Sequence, residues 1–200
     1  YSNTGFAMLA EIVARIYSQH SGTDKTLTDY LYDHVIGGDA PQAFPEIRFP
    51  NLATDTALPD PFMWGTERRP PDITLIVSNC NMSAQVGEGN GYGTLPAMNR
   101  FIRANMKGEG VLSNESVRLM QTCTSPANAD YGFGCTFVSD IGFGHNGCRV
   151  GNLSFMAYNP DTDVSVAVYL PLVDYSDLMN SFVICFYGMY NAAHRALEAL

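Results

Sequence analysis

After Pro126 the apolar residues stop recurring at helical spacing and begin to alternate, and this change of period constrains the fold more than any other feature. Residues 131–139, 142–147, 153–159 and 164–170 read as strands. Turns at Ser139-Asp140 and Asn159-Pro160-Asp161 separate them. Four short strands with tight connections predict an antiparallel meander. The period then returns to helical over 177–200, with Phe182, Cys185, Phe186, Met189 and Ala193 on one face. A helix of that kind buries its stripe by closing over the sheet. The expected fold class is α+β, an antiparallel β-sheet flanked by helices.

The first 125 residues read as helical and irregular. Phe6, Leu9, Val13 and Ile16 lie on one face of a helix over 4–18, which breaks at His20-Ser21-Gly22. Thr26 or Thr28 caps a second helix reaching Val35, ended by Gly37-Gly38. Residues 40–71 are rich in Pro and show no sustained period, so a long excursion packed over the body is expected, with Asp55, Asp60 and Glu67 solvated. Residues 73–77 form a short apolar run that suits a strand. A Gly-rich ribbon at 87–93 follows, and helices are expected over 95–106, capped by Thr94, and 115–121, capped by Ser113. The two parts, 1–125 and 126–200, together make one domain-scale fragment.

Composition excludes several function classes. The 46% apolar content, with 11 Tyr and 11 Phe, is that of a globular chain. A formal charge of -9 and only two Lys repel a phosphate backbone, so nucleic acid is excluded as a partner. No run approaches the roughly 20 apolar residues of a membrane span. The five Cys, at 80, 123, 135, 148 and 185, lack metal-ligand spacing, so no metal and no cofactor is expected. One disulfide or none is compatible with their odd number. The Gly-rich 87–93 segment lacks the Lys and βαβ unit of a phosphate cradle. Sequons stand at Asn81, Asn114 and Asn152.

Two short patterns carry chemistry. Tyr1-Ser2-Asn3 sets a phenol and an amide two residues apart at the head of an amphipathic helix. His145-Asn146-Gly147-Cys148 sets an imidazole on a strand, beside a glycine that leaves room for a ligand at the strand edge. A tyrosine serves as a base when neighbouring cations depress its phenol. Acyl transfer also needs a nucleophile and donors for the oxyanion. Both Lys residues, Lys25 and Lys107, follow a non-serine residue by three (Gly22 and Ala104), so no Ser-x-x-Lys exists in the chain. Glu88, near the expected cleft, is the one acid outside these motifs that merits a test.

In order and spacing, Tyr1-Ser2-Asn3-Thr4-Gly5-Phe6, the Gly87–Gly93 ribbon followed by a helix, and Gly144-His145-Asn146-Gly147 through Ala157-Tyr158-Asn159-Pro160-Asp161 resemble the class C β-lactamase and D-alanyl-D-alanine carboxypeptidase family, whose members include D-aminopeptidases and family VIII esterases. The resemblance implies that Tyr1 is the general base and acid and that Asn3 contacts the acyl side chain of the substrate. It implies that His145 and Gly147 stand at the first and third positions of a Lys/His-Thr/Ser-Gly motif, with Asn146 between them and the Cys148 backbone N–H completing the oxyanion hole. The chain departs from the family's pattern in three ways. Ser-x-x-Lys is missing, Asn146 replaces a hydroxyl residue, and no Arg stands at a clear carboxylate-binding position, Arg149 being an unsupported substitute.

The resemblance further implies a serine hydrolase acting through an acyl-enzyme on a peptide, amide, ester or β-lactam, in the periplasm or outside the cell. The fold would then be incomplete without an upstream segment. A second polypeptide carrying the Ser-x-x-Lys is the expected partner, arising by cleavage before Tyr1 or by division of a longer chain. The competing readings are a non-catalytic module of the same fold that binds peptides or partners, and an unrelated α+β interaction protein.

Overall fold

The computed structural model describes residues 1–52, 54–55, 62–77, 82–123 and 126–200. Cys80, Asp60 and the sequon at Asn81 lie outside the described residues. In chain order the elements are α1 (Asn3–Ser21), α2 (Leu27–Tyr30) continued by a π-helical turn (Leu31–Val35), β1 (Gly65–Arg69), β2 (Ile73–Val77), a 3-10 turn (Ser83–Gln85), α3 (Leu95–Met106), α4 (Asn114–Gln121), β3 (Thr136–Val138), β4 (Gly142–Arg149), β5 (Asn152–Asn159), β6 (Val164–Leu170), β7 (Leu172–Asp174) and α5 (Leu178–Glu198).

Local chemistry sets the helix ends. Ser2 caps α1 by accepting from the Gly5 N–H, and Gly22 ends the helix in the left-handed region at φ 69°. Thr26, rather than Thr28, caps α2 and forms a reciprocal capping box with Asp29. Thr94 and Ser113 cap α3 and α4 through the N–H groups of Ala97 and Ser116.

The meander forms one antiparallel sheet in the order β3-β4-β5-β6. Its helices lie on opposite faces, as the alternation along β5 makes plain. Leu153, Phe155 and Ala157 join Met189 and Ala193 of α5 in one buried cluster. Met156 and Tyr158 point the other way, to Ile102 and Met106 of α3 and to Cys135. A third cluster seats Phe44 and Ile47 of the Pro-rich excursion on Ala97 and Ala104 of α3. The mixed α/β architecture, antiparallel strands flanked by helices, is the one expected.

Several details differ from expectation. Residues 131–139 contribute a strand only at Thr136–Val138, with Tyr131 joined by a single bridge to Thr136. The excursion contains β1, which pairs antiparallel with β2 and parallel with β7 in a second, three-stranded sheet. Glu67 of β1 is buried rather than solvated. Its carboxylate meets the Arg69 guanidinium and accepts a 3.2 Å hydrogen bond from the Gly151 N–H. Those partners offset the cost of desolvating it. On α1, Leu9 and Ile16 are half exposed with Met8 and Ile12, and Ala10 is the one buried residue. Among the described residues no helix is long and apolar enough to cross a membrane.

Candidate active site

The cap that starts α1 also delivers Tyr1. Because Ser2 holds the first turn, the phenol beside it projects over the end of the sheet, where its ring centroid lies 5.4 Å from that of His145 and 5.4 Å from that of Phe6. Tyr1 is 68% exposed, so this corner is open to solvent. Asn3 opens α1 and is exposed as well.

The other wall is strand β4. Its inner edge pairs with β5 from Phe143 to Arg149, whereas β3 covers its outer edge only from Gly142 to Gly144. From His145 to Arg149 that outer edge meets no strand among the described residues. Arg149 and Asn152 flank a two-residue turn and so form a hydrogen-bonded pair. Alternation from there turns the N–H and C=O of Cys148 and Asn146 toward the open edge. The side chains alternate too. His145, Gly147 and Arg149 share one face, and Asn146 and Cys148 take the other. Cys148 accordingly packs against the α5 cluster, and burial pushes its thiol up from the ordinary cysteine value. Its contribution at the edge is therefore the backbone N–H. The Asn146 side chain leaves from the face opposite His145.

Gly147 keeps the floor low: a Cβ there would come within 2.6 Å of Ser154 Oγ. His145 is fixed at both ring nitrogens. Nδ1 donates to the Asn146 carbonyl at 2.6 Å, and in the neutral ring Nε2 then accepts from the Tyr131 hydroxyl at 3.1 Å. Tyr131 stacks edge-on to both His145 and Tyr1, at 5.7 and 6.1 Å between centroids. Burial, reinforced by Tyr1 and Cys135, pushes its phenol up to about 12, so it stays a donor at neutral pH. Sequence reasoning missed Tyr131, because nothing in Asp130-Tyr131-Gly132 signals contact with a residue 14 positions on.

The loop before α3 forms the third wall. Gly87 (φ 88°) sits so close to α1 that a Cβ would overlap Ala10, and Gly89 (φ 133°) brings the backbone against Arg149 Nη2. Arg149 donates to the carbonyls of Cys148 and Glu88, at 3.2 and 3.4 Å, and its Nη2 lies 3.9 Å from Glu88 Oε1. Among the described residues no group of three or more His, Cys, Asp or Glu side chains is placed to hold a metal. Cys123, Cys135, Cys148 and Cys185 are free thiols.

The sequence model of a family described as Beta-lactamase matches residues 1–174. No curated protein matches the chain. Among solved structures, a D-amino acid amidase from Ochrobactrum anthropi SV3 complexed with L-phenylalanine amide is similar over 100% of this chain and 56% of its own, at 20% identity and a TM-score of 0.76. A D-stereospecific amidohydrolase from a Streptomyces species is similar over 86% of this chain and 49% of its own, at 21% identity and a TM-score of 0.70. A penicillin binding protein from Bacillus halodurans covers 86% and 50%, at 21% identity and a TM-score of 0.61. At these identities the likeness is one of fold. The chain spans about half the length of these structures.

Proposed function

The chain belongs to the Beta-lactamase family, and from that premise we propose that it supplies the base and oxyanion side of a serine hydrolase that cleaves amide bonds, with amino-acid amides of the D series as the first substrates to try. The observation that carries this reading is the 5.4 Å approach of the Tyr1 and His145 rings beside the open edge of β4. Two of the named neighbours, the amidase and the amidohydrolase, support an amide as the first substrate class.

In this reading the nucleophile is a serine on a Ser-x-x-Lys helix in sequence outside these 200 residues, on the same or a second polypeptide. Two facts favour that placement: the 200 residues hold no such motif, and the matched structures are about twice as long. The serine oxygen attacks the amide carbon, and the Lys of the motif and Tyr1 shuttle its proton. The charge on the carbonyl oxygen rests on the Cys148 N–H and on the N–H of the serine itself. Tyr1 returns the proton to the departing amine, leaving an acyl-serine. Water then attacks, giving up its proton to Tyr1, and releases the acid and the serine. His145 presents its ring to Tyr1 from β4, and Asn3, two residues from the phenol, faces the acyl group. On the same reading the protein works in the periplasm or outside the cell.

A fluorophosphonate probe tests the proposal on the protein as isolated from its source. Labelling is expected on a serine followed three residues on by Lys, outside residues 1–200. Tyr1→Phe in that protein is expected to lower amide turnover about 10²–10⁴-fold, the usual worth of acid–base catalysis. Absence of labelling, with the motif-bearing segment shown to be present, would instead favour a non-catalytic binding module.

A further inference from the structure

We infer that Glu88 is the group that binds the α-ammonium of the substrate, so that this site takes unblocked amino-acid amides in preference to N-acylated ones. The inference rests on the amide-hydrolase reading above and adds to it which amides are accepted.

Position comes first. Arg149 follows Cys148, whose N–H faces the open strand edge, and its side chain rises from the face that carries His145 and Gly147. Two residues of strand separate it from Gly147, about 7 Å. The guanidinium reaches Glu88 on the loop before α3. In this proposal Glu88 receives a substituent of the acyl carbon whose oxygen is held at Cys148. The loop that carries Glu88 is seated on its neighbours: Gly87 lies against Ala10 of α1, Gly89 against Arg149, and the buried Asn90 side chain donates to the Pro50 carbonyl at 2.7 Å. A carboxylate on such a support keeps its place.

Hydrogen-bond accounting then decides the sign of the ligand. Arg149 gives Nη1 to the Cys148 carbonyl and Nη2 to the Glu88 carbonyl. The Glu88 carboxylate lies 3.9 Å from Nη2, beyond hydrogen-bond reach, and accepts no hydrogen bond among the described residues, although its side chain is only 16% exposed. Glu88 is thus a largely sheltered carboxylate that faces the Arg149 guanidinium as an ion pair but keeps its hydrogen-bond acceptor sites open, and those sites suit a further cationic donor. An ammonium supplies three N–H donors at that point, whereas a substrate carboxylate would meet a like charge. Arg149, by holding the loop through backbone carbonyls, sets the distance between Glu88 and Cys148.

The test compares kcat/KM for D-phenylalanine amide and its N-acetyl derivative in the whole enzyme. Wild type is expected to favour the unblocked amide. Glu88→Gln, which keeps the shape and removes the charge, is expected to lower the ratio of unblocked to acetylated kcat/KM about 10- to 100-fold, the worth of one charge-assisted hydrogen bond. The change should fall in KM. Glu88→Asp, which keeps the charge, is expected to restore most of the ratio and so separates lost recognition from a disturbed loop. A wild-type preference for the acetylated amide, or a ratio unmoved by Glu88→Gln, overturns the inference. Fluorophosphonate labelling distinguishes that result from failure of the hydrolase reading, since an enzyme that labels but ignores the ammonium refutes only the role of Glu88.

Discussion

The Tyr131 hydroxyl donates to Nε2 of His145 while Nδ1 of the same ring donates to the Asn146 carbonyl, which leaves this imidazole with one tautomer and one orientation. The two bonds hold the ring within 5.4 Å of Tyr1. Tyr131→Phe keeps the edge-on packing and deletes only the donor. Expected results are a loss of about 0.5–1.5 kcal/mol of stability, a fall in kcat with little change in KM, and nitrogen NMR signals from His145 that show both tautomers. A single unchanged tautomer in the variant would mean that the Asn146 carbonyl alone orients the ring.

Glu67 makes a comparable bond inside the second sheet. Its carboxylate is buried and receives the Gly151 N–H at the β4–β5 turn, while the Thr66 N–H donates to the Gly151 carbonyl at 3.1 Å. Strand β1 thus grips both polar groups of one turn residue and fixes the hairpin that carries the open edge. Glu67→Leu leaves the Gly151 N–H without a partner in a dry position, which costs about 1–3 kcal/mol. Urea unfolding should register that loss, with the midpoint lowered and the slope unchanged. A neutral result would show that water reaches the turn.

These cases mark what the sequence discloses. The meander and the inward stripe of α5 were legible because burial on one face imposes a period: Phe155 and Ala157 are buried, as are Met189 and Ala193. The caps at Ser113 and Thr94 were legible because they are local. Strand β1 was not, since Gly65-Thr66-Glu67-Arg68-Arg69 has no apolar alternation; its buried positions are Gly65 and an acid, Glu67, whose partners include a glycine 84 residues away. The three-residue β7 is too short to show any period. At the site, Tyr1 and His145 were legible as motif members, whereas the contact of Tyr131 with His145 arises only when Tyr131 bridges to Thr136 and β3 folds onto β4. On α1 the stripe with Leu9 and Ile16 is half exposed, since a helical period reports only that a face is apolar and not what covers it.

Acid stability has an identifiable contributor. Asp163 accepts from Arg103 at 2.7 Å and from the Tyr158 hydroxyl at 2.9 Å, and Lys107 lies 3.2 Å away. Arg103 first, then Tyr158 and Lys107, hold its carboxyl down at about 2, below its ordinary 3.8. A depressed carboxyl stabilises the fold above its unfolded value, and that share is lost as pH falls from about 4 through about 2. The backbone there is left-handed, φ 58°, which Asn tolerates well. Asp163→Asn is therefore expected to flatten the fall in stability between about pH 4 and 2 without distorting the turn. Because the cluster is exposed, added salt should shrink the difference. Identical acid curves for the two proteins would remove Asp163 from the account.

Gly144 and Gly147 stand three residues apart on β4 and are predicted to fail differently. A Cβ at Gly144 would overlap the Met156 carbonyl and crowd Ala157 Cα, which are backbone atoms of the paired strand. Gly144→Ala must therefore part β4 from β5, and a loss of about 3 kcal/mol or more is expected, the upper end of overpacking. At Gly147 the obstacle is Ser154 Oγ, the end of an exposed side chain that can turn away. Gly147→Ala should cost about 1 kcal/mol or less. Its methyl group nevertheless rises from the face shared with His145, into the space that the proposed function gives to substrate along the open edge. The expected signature is a protein that melts near the wild-type temperature and hydrolyses amides at least about tenfold more slowly, with the loss mainly in KM; about 1.4 kcal/mol of lost binding is enough for that factor. Equal activity in Gly147→Ala would move the substrate away from this edge, and with it the oxyanion from the Cys148 N–H.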